Sequence, residues 1–496
     1  MKNIEHKYKR IIFIALLFTF FLFRLPGLGI DVSNTDAYRW HKRSENFLQA
    51  LKTKDYKSTY QHYQPGVTLM WMNAVVKQVS FSYQFHVQGN KEPLTLEHAD
   101  YYPVIHGISK AVLVVVLGIL LFLQIIFINK IFNFKTAAIY GFFMVTEPYL
   151  IGMDRWFHLT SLETYFSFTA FLCVLMWFKF EKIKYVITSA LFFVFAVLSK
   201  VTPVITIPLY IIIFFVRSKN DYRKFIYVLL IFTIASLFFT FLLFPALVTN
   251  FVFVINKIHG AINSAVNTGY SVKQFSPTIR ILFYGAILAF KLSPVLFVLM
   301  IVSFIKCKVT FGDFPRKSIL LYLLFFVIFL TISGKKIDRY VISMIPPIIL
   351  LCAGYLSNAE WKSIRRVVSL NVFILVLSMF LYYPVYSAYY SPLLGGTPSA
   401  IKIGLYDNSG EYFADAAVYL NKKGRETKVY VPHGMASFYY YFKGIVVNDI
   451  KEADYVVTSY DLTRKRIDNL QCEEYVNSFG SKELDVVFVF SCKDME

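Results

Sequence analysis

The chain has 496 residues, of which 56% are hydrophobic and 18% aromatic, and it carries a formal net charge of +20. So high an apolar fraction excludes an ordinary water-soluble domain. The cations stand between long apolar runs, which excludes the single basic face of a nucleic-acid-binding protein.

A helix needs about 20 apolar residues to cross the hydrocarbon core. Roughly eleven runs approach that length: 11–30, 104–128, 136–153, 160–178, 185–199, 201–216, 225–246, 281–305, 318–333, 340–356 and 367–386. The first follows Lys2, Lys7, Lys9 and Arg10 and ends at Arg24-Leu25-Pro26-Gly27 with no small-residue cleavage site. That pattern predicts a retained signal-anchor helix. The runs on either side of Lys200 and Pro203 also read as one broken helix. With the N-terminus inside, the inner connections carry Lys130 and Lys135; Lys179, Lys182 and Lys184; Arg217, Lys219, Arg223 and Lys224; Lys306, Lys308, Arg316 and Lys317; and Lys362, Arg365 and Arg366. All are basic, as the positive-inside rule requires, and an odd number of spans puts the C-terminus outside.

Two outer segments are long, 31–103 and 387–496. The tail has helical spacing over 411–423, short strands at 428–431 and 454–458, and a possible helix at 435–442, which predicts a small α/β domain. Gly395-Gly396-Thr397-Pro398 marks a hinge before it. The expected fold is an α-helical polytopic membrane protein, with a transmembrane module over 1–386 and an external soluble α/β domain over 387–496. No repeat of 20–50 residues is visible. Among the cysteines, Cys173, Cys307 and Cys352 lie in or beside spans. Cys472 and Cys492 are close enough in the tail to pair, and none of the five makes a CxxC motif.

Ionisable residues at span edges are the first places to look for chemistry. Thr35 to Ser44 follows the first span and offers Asp36 as a base, with Asp31 as its rival; the alternative is that Asp36 merely caps a surface helix. Gln61 to Trp71 contains Pro65-Gly66, which forces a turn, and His62. A short outer loop holds Glu147, Asp154, Arg155, His158 and Glu163. Arg155 is suited to grip a phosphate, and the alternative is an internally paired loop. Asp154, His158 and Glu147 also offer ligands for a divalent cation, at a spacing that specifies no metal. Gly334 to Tyr340 places Lys335, Lys336 and Arg339 outside, against the positive-inside pattern. An anionic lipid phosphate is one reason for such an exception, and headgroup snorkelling is the other. Lys200 is a weaker candidate of the same kind.

In this order, the clusters resemble the prokaryotic branch of the protein O-mannosyltransferase-like glycosyltransferases, family 39 of the GT-C superfamily. The residues that carry the resemblance are Asp36 with Trp40, Arg43 and Ser44; Asp55 to Thr59 leading to Pro65-Gly66-Val67-Thr68-Leu69-Met70-Trp71; Arg155 with His158; Lys335-Lys336 to Asp338-Arg339-Tyr340; and Tyr390 to Gly396. The resemblance implies a dolichyl- or undecaprenyl-phosphate sugar donor, an inverting transfer, and Asp36 as the base. It also implies that Arg155, Lys336 and Arg339 bind the donor phosphate, with Arg43, His62, Pro65, Gly66, Asp154, His158 and Tyr340 as further substrate contacts. The family's usual Asp-Glu pair is Asp36-Ala37 here, and its His-Pro-Gly is Gln64-Pro65-Gly66.

The expected activity is therefore transfer of mannose or a similar hexose from a polyprenyl-phosphate carrier to a hydroxyl of a protein, lipid or glycan, at the outer face of the cell membrane. No cofactor is specified beyond a possible divalent cation. The competing readings are a lipid-linked sugar transporter or flippase, which predicts inverted repeats, and an accessory subunit of envelope polysaccharide assembly.

Overall fold

The computed structural model describes residues 2–87, 95–219, 221–267, 277–306, 313–334, 336–460, 472 and 474–492. Cys307, Lys308 and Lys335 lie outside the described residues. The helices of the bundle are α1 (Lys2–Arg24), α2 (Ala37–Lys52), α3 (Val67–His86), α4 (Tyr102–Ile131), α5 (Phe134–Thr146), α6 (Pro148–Asp154), α7 (Leu159–Phe180), α8 (Ile183–Ser199), α9 (Ile207–Ser218), α10 (Tyr222–Leu243), α11 (Pro245–Thr249), α12 (Phe251–Asn267), α13 (Pro277–Lys291), α14 (Pro294–Ile305), α15 (Asp313–Ile332), α16 (Ile345–Ser357) and α17 (Trp361–Tyr382). Among the described residues, six helical stretches are long and apolar enough to cross a membrane: Tyr102–Ile131, Leu159–Phe180, Tyr222–Leu243, Phe314–Ile332, Asp338–Ser357 and Trp361–Tyr382. Shorter apolar helices accompany them. The chain is a multi-pass membrane protein.

Helix α7 is buried along its span, whereas α10 and α17 leave most of theirs open. Their outward residues are apolar, among them Ile226, Leu230, Ile234, Phe373 and Phe380, which suits lipid rather than water.

Two expected single spans are broken. The run 136–153 divides into α5 and α6 at Glu147-Pro148, and 281–305 divides into α13 and α14 at Leu292 to Pro294. Proline lacks the N–H that would continue the helix and pushes the preceding residue to extended backbone. Glu147 and Ser293 both take that conformation. The breaks hold each other: Glu147 accepts from the Ser293 amide at 2.7 Å and from its hydroxyl at 2.8 Å. Asn371 of α17 donates to Thr146 at 2.9 Å beside them. Backbone freed inside a bundle must find such partners, because lipid supplies none. The apolar stretch around Lys200 is also two helices, α8 and α9, joined by extended Lys200 and a 3₁₀ turn over Thr202–Thr206.

Alternation of the helix ends is visible in their polar contacts. At one end Glu181 pairs with Arg217 (2.6 Å) and Lys224 (3.1 Å), Lys179 donates to the Lys130 and Ile131 carbonyls, and Lys135 donates to the Ala359 carbonyl. The opposite end carries Asp36. There the fully buried Asp31 lies 2.6 Å from Lys110 of α4 and 3.0 Å from Arg155, and Arg24 of α1 lies 2.8 Å from Asp154 of α6.

The tail adds α18 (Gly396–Lys402), α19 (Phe413–Leu420), α20 (Met435–Phe438) and strands β1 (Lys428–Tyr430), β2 (Ile445–Val447), β3 (Tyr455–Ser459), β4 (Glu474–Gly480) and β5 (Asp485–Ser491). The sheet order is β2-β1-β3-β5-β4: β1 is parallel to β2 and β3, and β5 is antiparallel to β3 and β4. Cys472 and Cys492 form a disulfide. Gly395-Gly396-Thr397 opens α18 and is held by Glu483, which accepts from the Thr397 hydroxyl at 3.0 Å and from Tyr382 of α17. The sheet side also reaches the first connection: the Tyr441 hydroxyl donates to the Gly29 carbonyl at 2.8 Å, and Tyr440 stacks on Tyr38 at 3.8 Å.

Removing one member of a buried ion pair strands the others in low dielectric. Asp31→Asn is therefore expected to destabilise the protein by about 3–5 kcal/mol, read as a fall in apparent Tm in detergent micelles. Asp55→Asn, at an exposed carboxylate with no side-chain cap bond, is expected to leave Tm unchanged.

Candidate active site

The site is built from the first connection upward. Asn34 accepts from the amide of Asp36 through its side chain (3.1 Å) and from the amide of Ala37 through its carbonyl (2.9 Å), which starts α2. Ala37, Trp40, His41, Ser44, Phe47 and Ala50 are buried along one face of that helix, at the spacing of an amphipathic stripe. Asp36 stands at the N-cap position but makes no cap bond. Its carboxylate points instead to Arg339 (3.4 Å), His158 (3.6 Å) and Arg39 (3.8 Å). The capping alternative is thus not what the side chain does.

His158 stands at the N-cap of α7, where its Nδ1 accepts from the Thr160 amide at 3.3 Å. That leaves Nε2 to carry the proton and face Asp36. Burial pushes His158 down to about 4, so it is neutral at pH 7. Contact with His158 comes first among the influences that hold Asp36 well below the usual carboxylate range, against burial and with Arg339 and Arg39 assisting. At neutral pH the positive field on Asp36 is that of the two arginines, and His158 contributes a donor rather than a charge.

Gly66 has φ +59° and lies against Trp40; a Cβ there would come within 2.2 Å of the indole ring. Its amide donates to the Ser199 carbonyl at 3.2 Å, which closes the end of α8. Pro65 is buried beside it. The Arg43 guanidinium covers the other part of Trp40 at 4.5 Å, and His62 meets the same ring edge-on at 5.7 Å. Burial, and then the Arg43 charge, push His62 down to about 4. Tyr340 carries Lys200 over its ring at 4.0 Å. Lys200 in turn lies near Glu163, which accepts from Ser343 at 3.1 Å.

Arg43, His62, Gly66, His158, Arg339 and Tyr340 therefore gather around Asp36. Arg155 and Lys336 do not join them, which corrects the expectation that both face a phosphate. Arg155 is 1% exposed; it pairs with Asp31 and donates to the Pro26 carbonyl at 2.7 Å. Lys336 donates to the Leu330 and Thr331 carbonyls at 2.6 and 2.8 Å and so closes the end of α15. Asp154 is fully buried against Arg24 and the Tyr165 hydroxyl. Asp31 is likewise taken up: burial would raise it, but Lys110 and then Arg155 hold it below the usual range. The suggested cation ligands Glu147, Asp154 and His158 go to Ser293, Arg24 and Asp36 respectively. Among the described residues no group of three or more His, Cys, Asp or Glu side chains converges.

The sequence reading missed a second wall. Arg339 also donates to the Ser409 hydroxyl at 3.3 Å, and the Ser409 carbonyl accepts from the Thr35 amide at 3.1 Å. The tail loop after α18 thus reaches the first connection. Lys291 lies 3.4 Å from Asp338 and 3.6 Å from the Tyr390 ring centre. On the opposite side, an apolar cavity of about 170 Å³ opens among Val67, Thr68, Trp71, Leu162, Phe166 and Leu198. Thr68 shares a hydrogen bond with Ser199, the residue before Lys200, so the cavity adjoins the cationic cluster.

No family model and no curated protein sequence matches the chain. Solved structures do. ArnT from Cupriavidus metallidurans bound to undecaprenyl phosphate is 12% identical over 97% of both chains, with a TM-score of 0.54. Its apo state is 13% identical over 98% of both chains, with a TM-score of 0.51. The Archaeoglobus fulgidus oligosaccharyltransferase complex with Zn and sulfate covers 91% of this chain and 68% of its own, at 12% identity and a TM-score of 0.49. The chain shares its fold with ArnT.

Gly66→Ala would place a methyl group into the Trp40 ring at a left-handed backbone position. It is expected to destabilise by about 1–3 kcal/mol, with a lowered apparent Tm and a shifted tryptophan emission in detergent as the readouts.

Proposed function

We propose that the protein is a glycosyltransferase that moves a sugar from a polyprenyl-phosphate carrier to a hydroxyl acceptor, with Asp36 as the base. The observation that carries this reading is a partly exposed carboxylate, Asp36, that lies 3.4 Å from Arg339, with Arg43 and Lys200 held over the neighbouring Trp40 and Tyr340 rings. The likeness of the fold to ArnT, whose structure holds undecaprenyl phosphate, supports the same carrier here.

In this reading the first isoprene units enter the cavity and the phosphate lies at Lys200, Arg43 and Arg339. The acceptor oxygen attacks the anomeric carbon, its proton passes to Asp36, and the anomeric C–O bond breaks with its electron pair leaving on the phosphate. Negative charge grows on the leaving group, where fixed cations are worth most. One displacement inverts the anomeric centre. Mannose or a similar hexose is the proposed sugar, and a protein, lipid or glycan the acceptor. Arg155 and Lys336 act in this scheme by fixing the backbone around the site.

The Asp36 end is proposed to face outward. The opposite end carries Lys130, Lys135, Lys179, Arg217 and Lys224, which the positive-inside rule assigns to the cytoplasm. The Cys472–Cys492 disulfide in the tail suits an oxidising compartment.

Radiolabelled polyprenyl-phosphate sugars offered to cell-envelope fractions test the reading. Wild type is expected to transfer label, and Asp36→Asn to lose about 10²–10⁴-fold of the rate at matched expression; equal rates would remove Asp36 as base. Arg339→Gln takes away a cation that keeps Asp36 ionised, so the acid limb of its kcat/KM profile is expected to move to higher pH than in wild type. An unmoved limb would uncouple the two residues.

A further inference from the structure

The open side of α17 leads up to a cleft in the tail. Phe373, Val376, Phe380 and Tyr383 follow one another at intervals of three and four residues, and each is at least 60% exposed. Such a stripe on a spanning helix suits acyl chains. Tyr383 ends the helix and is also one wall of an open cleft of about 450 Å³. The cleft lies between the end of α17, the helix α19 and the β4–β5 hairpin. Asp415 and Tyr419 of α19, Lys422 just beyond it, Ser478 of β4 and Asp485 of β5 line it further.

Asp415 is partly exposed, and its carboxylate takes no hydrogen bond or ion pair among the described residues. Burial, and then the Asp31 charge, push it up to about 6, so it is ionised at pH 7. Asp485 is exposed and accepts from the Ser478 hydroxyl at 2.6 Å, a neutral donor. Asp415 and Asp485 against Lys422 leave the lining with one surplus negative charge, on a chain whose formal net charge is +20. A cation stands nearer the lipid. Lys482, in the hairpin turn, donates its amide to the Leu381 carbonyl at 3.0 Å, and its ammonium lies 3.4 Å from the ring centre of Phe380.

From the bilayer outward the order is therefore an apolar stripe, a cation, and a tyrosine-walled cleft with two carboxylates. A purely anionic headgroup would meet Asp415 and Asp485 and be repelled. A neutral sugar would leave the Asp415 charge uncompensated. A phosphate followed by a primary ammonium matches the order. The phosphate pairs with Lys482, and the ammonium donates to the carboxylates and packs against the tyrosine faces.

We propose that this cleft is the headgroup site of an ethanolamine phospholipid whose chains lie on the outward face of α17. The site is separate from Asp36 and holds whether or not the transferase reading does.

Native mass spectrometry of the full chain in detergent tests it, with dioleoyl phosphatidylethanolamine, phosphatidylcholine and phosphatidylglycerol as the probes. Wild type is expected to bind the ethanolamine lipid about tenfold more tightly than either of the others, because choline has no N–H to donate and glycerol has no positive charge. Asp415→Asn removes a carboxylate that holds no bond in the protein. It is expected to lose most of that preference at an unchanged apparent Tm, whereas Asp415→Glu keeps the charge and the preference. Lys482→Gln is expected to weaken all three lipids alike. Equal affinity of wild type for the three lipids would overturn the proposal, as would a full preference surviving in Asp415→Asn. Binding of a lysine-bearing peptide that depends on Asp415, without any lipid preference, would likewise overturn it and assign the cleft to a cationic peptide.

Discussion

One buried carboxylate ties the functional end of the molecule together. Asp31 sits between Lys110 and Arg155 with no exposure to solvent. Three separate parts of the chain meet there: the connection after α1, the third turn of α4, and the corner between α6 and α7. Asp36 lies five residues beyond Asp31, and His158 lies three beyond Arg155. The facing of Asp36 and His158 is therefore set by an ion triad that neither belongs to. Such a triad is weak as a source of net stability but strict about geometry, because any misplacement leaves an uncompensated charge in a medium that cannot solvate it. Arg24 and Asp154 repeat the device one step nearer the bundle.

Around that frame the electrostatics of the site divide into two regimes. Asp36, Arg339, Arg43 and Lys200 form a charged strip next to an apolar cavity. His62 and His158, both pressed toward neutrality by burial, insert uncharged donors and acceptors among them. A neutral imidazole can orient a carboxylate without competing for its proton. The arginines set the charge, and the histidines set the direction.

Much of this was legible in the amino-acid order. Charge-free runs revealed the helices, and basic connections revealed their alternation, because both follow from the free energy of placing single residues in or beside lipid. Pro148 and Pro294 marked the places where two runs break, although a hydropathy window smooths over them. Asp36, His158 and Arg339 were found because each is an ionisable group at a helix edge. Arg155 and Lys336 share that signature yet are consumed by Asp31 and by the end of α15. A cation's partner is a tertiary fact that spacing cannot supply. The loop at Asp407 escaped for the same reason: its polar run reads as ordinary surface until residue 409 is found against residue 35. The β4–β5 hairpin was likewise hidden, since only β1 and β3, which run parallel to each other, had the strand–helix–strand rhythm.

The Thr35–Ser409 backbone contact has a consequence for biogenesis. A membrane chain is threaded in order, so Asp36 reaches its final side of the bilayer hundreds of residues before Ser409 does. Until the tail has folded against the first connection, Arg339 lacks the Ser409 hydroxyl and Tyr38 lacks its stacking neighbour Tyr440. The site thus forms by joining early and late segments of the same chain.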